Sequence, residues 1–407
     1  MTVKIGLLGL GTVGSGLVTI LSEQAAKFQS QLGQSVSVKS ALVHNLDKKR
    51  PGVPGTITLT DQVDDILTDP DIQIIVEVAG GIEPTDQWLK KALENGKAVV
   101  TANKDLIASK GQELIALAEE KQLPLRYEAA VAGGIPILTN LDNYYFSDQI
   151  TGLAGIVNGT TNYILSQMAN KGLAYETALK QAQELGFAES DPTNDVAGID
   201  AAYKAIILAR TVYGLDLTLE DFHIEGIEAI TPFDIEALDQ LKMTTKLLFE
   251  IRELDDRHYQ VQVAPAALSK SNLLASIENE TNAIAIESKN LGTSLFAGPG
   301  AGGRATAQAV LADIVAIIQG QKQALPSIQK DYQLKQPAKQ AHVFVLAGTG
   351  NNFEKSDLVE EGSSFQAKDG RYYEAILTSA LTAKQYSNFK AELSQKASLV
   401  KEFTCYS

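Results

Sequence analysis

The chain carries one cysteine in 407 residues, Cys405, so no disulfide can form within it. That excludes a disulfide scaffold and suits a reducing compartment. It also argues against aldehyde oxidation through a thiolate, since the single thiol stands three residues from the end. Histidine is scarce too. His44, His223, His258 and His342 are scattered without ligand-like spacing, so a zinc centre of clustered Cys and His is not expected. Positive charge is in deficit: 35 Lys and Arg stand against 49 Asp and Glu, a formal net charge of −14. An acidic surface repels phosphate backbones and anionic lipid, which excludes nucleic acid and membrane surfaces as expected partners. No apolar run reaches about 18 residues, so no membrane-spanning helix is expected. The first twenty residues hold five glycines and one lysine and lack the charge-then-apolar order of a secretory signal. The cytoplasm is the expected compartment.

What the chain does contain is alternation. Residues 3–8, 36–43, 72–79, 97–100 and 124–127 read as strands, and 14–29, 61–68, 85–95 and 105–122 as helices between them. Strand–helix alternation predicts a parallel sheet with right-handed crossovers. From 134 the pattern changes to α+β, with helices over 158–171, 175–185 and 196–213 and strand-like runs at 149–157, 225–230 and 259–264. An apolar helix over 304–320 is placed back with the first domain. The tail shows strands at 342–347, 372–378 and 398–405 and a helix at 382–396, after the polar segment KQPAKQ. The expected fold is α/β: a Rossmann-type nucleotide-binding domain (1–133, completed by a helix over 304–325), an α+β catalytic and dimerisation domain (134–303), and a small C-terminal α+β module (335–407).

Gly9, Leu10, Gly11, Thr12, Val13 and Gly14 follow an apolar strand and open a helix, which is the context a dinucleotide fingerprint requires. The first glycine permits the turn, the second lets a pyrophosphate approach the backbone, and the third lets helix and strand pack closely. The second strand runs into Val43, His44, Asn45 and Leu46, with no carboxylate at its tip and with Lys48, Lys49 and Arg50 beyond. A carboxylate there would favour NAD; its absence leans towards NADP. A run of basic residues is more often only a solvated loop.

The catalytic candidates are lysines. Lys104 follows the strand 97–100 in Thr101-Ala102-Asn103-Lys104, at the carboxyl end of a parallel strand, where ligands bind. Asp200 and Lys204 stand four apart on a helix that is apolar nearly all round, so the pair is expected to be buried. A buried ion pair needs a reason that an exposed one does not. Glu189 and Asp195 precede it in a polar loop, giving three carboxylates and a lysine near one locus. That set suits a substrate with an ammonium and a hydroxyl group undergoing proton transfer. Tyr386 and Lys390 form a Tyr-x-x-x-Lys pair, but in the terminal helix, far along the chain from the glycine turn.

At this point the sequence resembles the homoserine dehydrogenase family over about residues 1–320. The resemblance rests on GLGTVG (9–14), EVAGG (77–81), TANK (101–104), YEAAVAGGIPI (127–137), GIVNGTTNYIL (155–165), GFAESDPTNDVAGIDAAYK (186–204) and AGPGAGGRATAQAV (297–310). It implies NAD(P)H-dependent interconversion of L-homoserine and L-aspartate 4-semialdehyde in threonine and methionine biosynthesis. Lys204 would exchange the proton at the reacting oxygen, with Lys104 assisting near nicotinamide and substrate. Glu189, Asp200 and Thr160 would bind substrate, with Asp195 organising its loop. Gly186 and Gly300 would approach the cofactor. A sodium ion would be held through Glu128 and the carbonyls of Val131, Gly133 and Ile135, in keeping with the oxygen ligands hard cations take. The family forms dimers, so a homodimer is expected. His44 stands where the family often has an arginine for the 2′-phosphate, and this leaves NAD and NADP both open. Many members end in an ACT-type regulatory domain. The tail has its size and roughly its elements, but shows Ala347–Asn352 where an acidic-x-x-Gly turn is expected, which identifies it as a degenerate ACT-like module.

Overall fold

The computed structural model describes residues 2–321, 323, 326–348, 356–368 and 370–406. The chain divides into two compact units, not three. One holds residues 1–149, 206–218 and 296–330, the other 150–205, 219–295 and 331–407.

In the first unit, strands β1 (Thr2–Leu8), β2 (Ser35–Leu42), β3 (Thr58–Thr60), β4 (Ile74–Glu77), β5 (Ala98–Thr101) and β6 (Leu125–Arg126) pair in parallel. Their order is β3-β2-β1-β4-β5-β6, the arrangement of a dinucleotide-binding domain. β4 and β5 are buried at every residue, as strands covered on both faces must be. The expected helix over 14–29 is instead two, Thr12–Glu23 and Ala25–Leu32, which meet at Gln24 with φ −109° and ψ 13°. The apolar period continues across that break, so the pattern alone did not reveal it. Helix Gly303–Ile318 lies against Thr12–Glu23, where a Cβ on Gly16 would stand 2.8 Å from the Gly303 carbonyl. Ala307, Val310, Leu311 and Ile314 thereby share one core with Ile5, Leu7, Leu17 and Leu21. The helix stops at Ile318; of the residues expected to prolong it to 325, 322, 324 and 325 lie outside the described set.

The second unit is built on a sheet in the order Thr281–Ser288, Ile150–Ile156, Met243–Asp255, His258–Ser269, Ser398–Cys405, His342–Ala347, Tyr372–Thr378, Val359–Gln366. The tail is therefore not a detached module. Its last strand joins His258–Ser269 through Ala266↔Thr404 and Ala267↔Cys405. Helix Ala383–Lys396 covers the tail strands by burying Phe389 and Leu393 against Phe344, Leu346 and Ile376. Of the segment Ala347–Asn352, residues 349–352 lie outside the described set.

One expected strand, 225–230, is not a strand. Only His223–Ile224 pairs with His258–Ser269, and the chain then turns away. Ile227 donates its N–H to the Val196 carbonyl at 2.8 Å, and Ile227 and Ile230 are buried. Apolar residues packed on a neighbouring loop mimic the alternation of a strand. The expected helix 196–213 is interrupted by Gly198 (φ 82°), leaving Thr193–Val196 and Ile199–Tyr213. Among the described residues no helix is long and apolar enough to cross a membrane.

Candidate active site

The glycine turn sits at the carboxyl end of β1, between the neighbours β2 and β4. Gly9 adopts φ 102°, and a Cβ there would come within 2.9 Å of the Ala79 backbone. A Cβ on Gly14 would lie 2.3 Å from the Gly9 carbonyl. Both positions are therefore closed to any side chain. Gly11 differs: a Cβ would meet nothing within 4 Å, and no side chain caps the helix it opens. The N–H groups of Thr12–Val13–Gly14 thus start a helix on an open backbone face, the arrangement that receives phosphate. Gly9 donates its N–H to Leu42 at the end of β2, and exposed His44 follows two residues later. Arg50 is tied down by the carbonyls of Lys48 and Asn45 at 2.8 Å each.

The loops after β4 and β5 are organised by one buried carboxylate. Glu77 accepts the N–H groups of Ala79 and Gly80 at 2.8 and 2.9 Å and the Thr101 hydroxyl at 2.6 Å. Burial pushes its carboxyl up, and these donors oppose that shift. Asn103 donates to Gly81 at 2.6 Å while its side-chain oxygen caps helix Lys104–Lys121. Lys104 is the first residue of that helix, half-buried, with its Nζ 3.6 Å from Asp105.

The second unit holds the acid–base cluster. Lys204 and Asp200 are each 9% exposed, and Lys204 Nζ lies 2.6 Å from Asp200 Oδ2 and 2.5 Å from the Val157 carbonyl. Asn158 then joins the cluster: its amide donates to Asp200 Oδ2 at 2.9 Å and to Asp195 Oδ1 at 2.7 Å. The other end of the same amide accepts the Thr161 N–H and caps helix Gly159–Lys171. Burial raises the proton affinity of the Asp195 carboxyl, and the nearby Asp200 charge adds to the effect. Thr160 is buried, donates to the Phe187 carbonyl at 2.6 Å and lies 3.3 Å from Asp195. Its hydroxyl therefore fastens the loop that carries Glu189. Glu189 itself is exposed, as is Gly186, which takes φ 79° after helix Tyr175–Glu184.

Lys204, Asp200, Asp195 and Thr160 thus meet in one network. Lys104, His44, Gly300 and the glycine turn belong to the first unit, Glu189 and Gly186 to the second. Asn158 and Glu77 were missed as functional candidates. The Asn-Gly-Thr-Thr start of a helical run is an N-cap signal that could have found Asn158; Glu77 opens the motif EVAGG (77–81), but local pattern attaches no role to a carboxylate ending an apolar strand.

For an ion at residues 128–135, the donor set fits only in part. Glu128 accepts the N–H groups of Ile137 and Leu138 on one oxygen, at 2.7 and 2.9 Å. The N–H and hydroxyl of Thr139 occupy the other, at 2.6 and 2.5 Å. Four donors fill the positions a carboxylate offers, so this side chain serves a helix start and does not fit as an ion ligand. The backbone offers more. Ala132 and Gly133 take successive left-handed conformations, φ 54° and 56°, and backbone carbonyls are oxygen donors of the kind hard cations take; that of Ile135 also accepts the Ile137 N–H at 2.9 Å.

Comparison with known proteins places the chain. The family model described as homoserine dehydrogenase matches residues 136–315, and that of the homoserine dehydrogenase NAD binding domain matches 9–128. The homoserine dehydrogenase of Bacillus subtilis is 45% identical over 320 residues, covering 79% of this chain and 74% of its own. That of Lactococcus lactis is 45% identical over 326, covering 79% and 76%. A crystal structure of a homoserine dehydrogenase from Thiobacillus denitrificans superposes with TM-score 0.88 at 33% identity, covering 100% and 99%. A hyperthermophilic archaeal homoserine dehydrogenase in complex with NADPH gives 0.67 at 29% identity, covering 81% and 100%.

Proposed function

Since the chain belongs to the homoserine dehydrogenase family of oxidoreductases, we propose that it interconverts L-homoserine and L-aspartate 4-semialdehyde through lysine acid–base catalysis. The reaction would serve threonine and methionine biosynthesis in the cytoplasm. The nicotinamide cofactor supplies the hydride in one direction and takes it in the other. In reduction, Lys204 gives its proton to the oxygen that becomes the hydroxyl; in oxidation it takes that proton back. Asp200 orients the amine through the 2.6 Å contact between them, and binds the hydroxyl end of the substrate. Glu189 receives the substrate ammonium, with Asp195 organising the loop and Thr160 holding it shut through Phe187. Lys104 assists from the start of its helix. Gly9 to Gly14, with Gly186 and Gly300, hold the dinucleotide.

The observation that carries this reading is the buried pair of Lys204 and Asp200, locked to Asp195 through Asn158. A proton carrier needs its charge state set by neighbours and not by bulk water. The test is a steady-state assay with L-homoserine and each oxidised cofactor. Turnover is expected in the wild type, and Lys204→Ala should lose about 10²-fold or more in kcat while still binding cofactor. Absence of turnover with both cofactors refutes the proposal.

Both NADP and NAD are proposed as usable. The end of β2 carries neither a carboxylate to repel a 2′-phosphate nor an arginine to grip it. A homodimer is proposed on the family's habit, and sedimentation velocity tests it. A sodium ion is proposed on the backbone alone: the carbonyls of Val131, Gly133 and Ile135 would hold it, and it would brace the turn. Greater thermal stability in sodium chloride than in potassium chloride is the expected sign. The tail is proposed as an ACT-like module serving assembly.

A further inference from the structure

A cavity lies within the second unit, and none of Lys204, Asp200, Asp195, Asn158 and Thr160 lines it. It measures about 560 Å³, inside the range of sites for small metabolites. Its walls come from the far half of helix Gly159–Lys171, from helix Pro232–Gln240, from the start of strand Met243–Asp255 and from the short turn Leu273–Ser276. Lys270 and Lys368, both exposed, stand at its rim.

Lys246 is the unusual member of this wall. It is 4% exposed, and its Nζ donates to Asn162 Oδ1 at 3.1 Å and to the Ile277 carbonyl at 2.5 Å. Both acceptors are neutral. Among the described residues no carboxylate lies within ion-pair distance of it. A buried cation without an anion is costly, and proteins ordinarily pair it. Burial pushes the amine down to about 8, with Glu278 pulling the other way. The remaining charges of the cavity do not supply the missing partner. Asp239 is taken by Lys270 at the surface, Glu278, next in the chain to Ile277, acts on Lys246 through its charge without an ion pair, and Glu236 also lines the wall. The proposed dehydrogenase reaction makes no use of this lysine.

We propose that the cavity is a second ligand site, for a small carboxylate-bearing metabolite whose anionic group pairs with Lys246. At the rim Lys270 is paired with Asp239, so Lys368 is the exposed cation that draws the anion in against the acidic net charge of the chain. Asn162 ties Lys246 to helix Gly159–Lys171, whose cap is Asn158, so occupancy of the cavity bears on the helix that starts at the acid–base cluster.

The test is calorimetric titration of the full chain with succinate and with inorganic phosphate, in buffers of different ionisation enthalpy near pH 8. Succinate is expected to bind the wild type with proton uptake, because an anion beside the amine raises its proton affinity. Lys246→Met should bind about tenfold more weakly or worse and without proton uptake. Lys368→Ala, at an exposed position, should weaken binding a few-fold with the fold untouched. Phosphate binding with the same dependence on Lys246 supports recognition of anionic charge as such. No binding of either anion at about 10 mM overturns the proposal, as does equal binding by wild type and Lys246→Met. Should Lys246→Met not fold, unaltered affinity in Lys368→Ala overturns it too. None of these readouts involves turnover, so their failure is distinct from failure of the proposed activity.

Discussion

Asn158 donates one amide hydrogen to Asp195 and the other to Asp200, at 2.7 and 2.9 Å, so a single neutral side chain spaces two carboxylates beside Lys204. The two acids are close enough for the charge of Asp200 to raise the proton affinity of Asp195, so their spacing matters. Asn158→Ala should lose the helix cap, about 1 kcal/mol, and also the spacing. Asn158→Ser keeps the cap and loses only the spacing. Both variants are expected to fall about 10- to 100-fold in kcat/KM, while only the alanine loses appreciable thermal stability. A serine variant with full activity would show that Asn158 is a cap and nothing more.

The second and third glycines of the cofactor turn should separate folding from binding. A Cβ on Gly14 collides with the Gly9 carbonyl, so Gly14→Ala is expected to lower the melting temperature with or without cofactor. A Cβ on Gly11 touches nothing, so Gly11→Ala should fold as the wild type does. It would still stand where a pyrophosphate approaches, and fluorescence titration with NADPH should show about tenfold weaker binding or worse. Unchanged affinity in Gly11→Ala would place the dinucleotide elsewhere.

The tail carries an acid-sensitive anchor. Burial pushes the Glu402 carboxyl up, but the His342 ring 3.2 Å away, the hydrogen bond from Lys390 at 2.7 Å and the neighbouring Tyr386 hydroxyl outweigh it and hold it down at about 2, against an ordinary 4.5. A carboxyl depressed in the folded state contributes stability above its unfolded value and loses it as pH falls towards the folded one. The contribution should thus be full above pH 4.5 and vanish towards pH 2. After allowance for solvent screening of a partly exposed group, it amounts to about 1–2 kcal/mol. Urea midpoints of Glu402→Gln should lie below wild type at pH 6 and converge with it on acidification. A gap that stays constant down to pH 3 contradicts this.

Glu128 should matter to the fold whatever ion binds nearby. Its removal in Glu128→Ala leaves three backbone N–H groups and the Thr139 hydroxyl without their acceptor in a buried place. The expected cost is about 3 kcal/mol or more, visible as a lower melting temperature in sodium and potassium buffers alike. Stability lost only in sodium would instead make the carboxylate an ion ligand.

Local pattern made the first unit legible. The glycine turn, the apolar strands and the helices between them each lie within one short window. In the second unit the expected strands 342–347, 372–378 and 398–405 likewise coincide with observed ones. Asp200 and Lys204 were readable as a pair because four residues on a helix fix their proximity. Asn158 lies 42 positions from Asp200, and such a contact leaves no period in the sequence. The same holds for Glu77 and Thr101, 24 apart. Residues 225–230 misled because apolar side chains facing a loop alternate as strand residues do. The tail was read as separate because its linker is polar, whereas the pairing that joins it involves four residues only.

That pairing bears on how such chains can be shortened or recombined. A cut made at the polar linker, where composition suggests a seam, would not release a self-contained piece. It would strip Ser398–Cys405 from His258–Ser269 and leave an unprotected row of amides and carbonyls beside Ala266 and Ala267. Bare edges of this kind recruit other chains. A truncated form would therefore need a charged, bulged or otherwise blunted edge at those positions to stay free of aggregation, and a grafted tail would need a host strand ready to receive it.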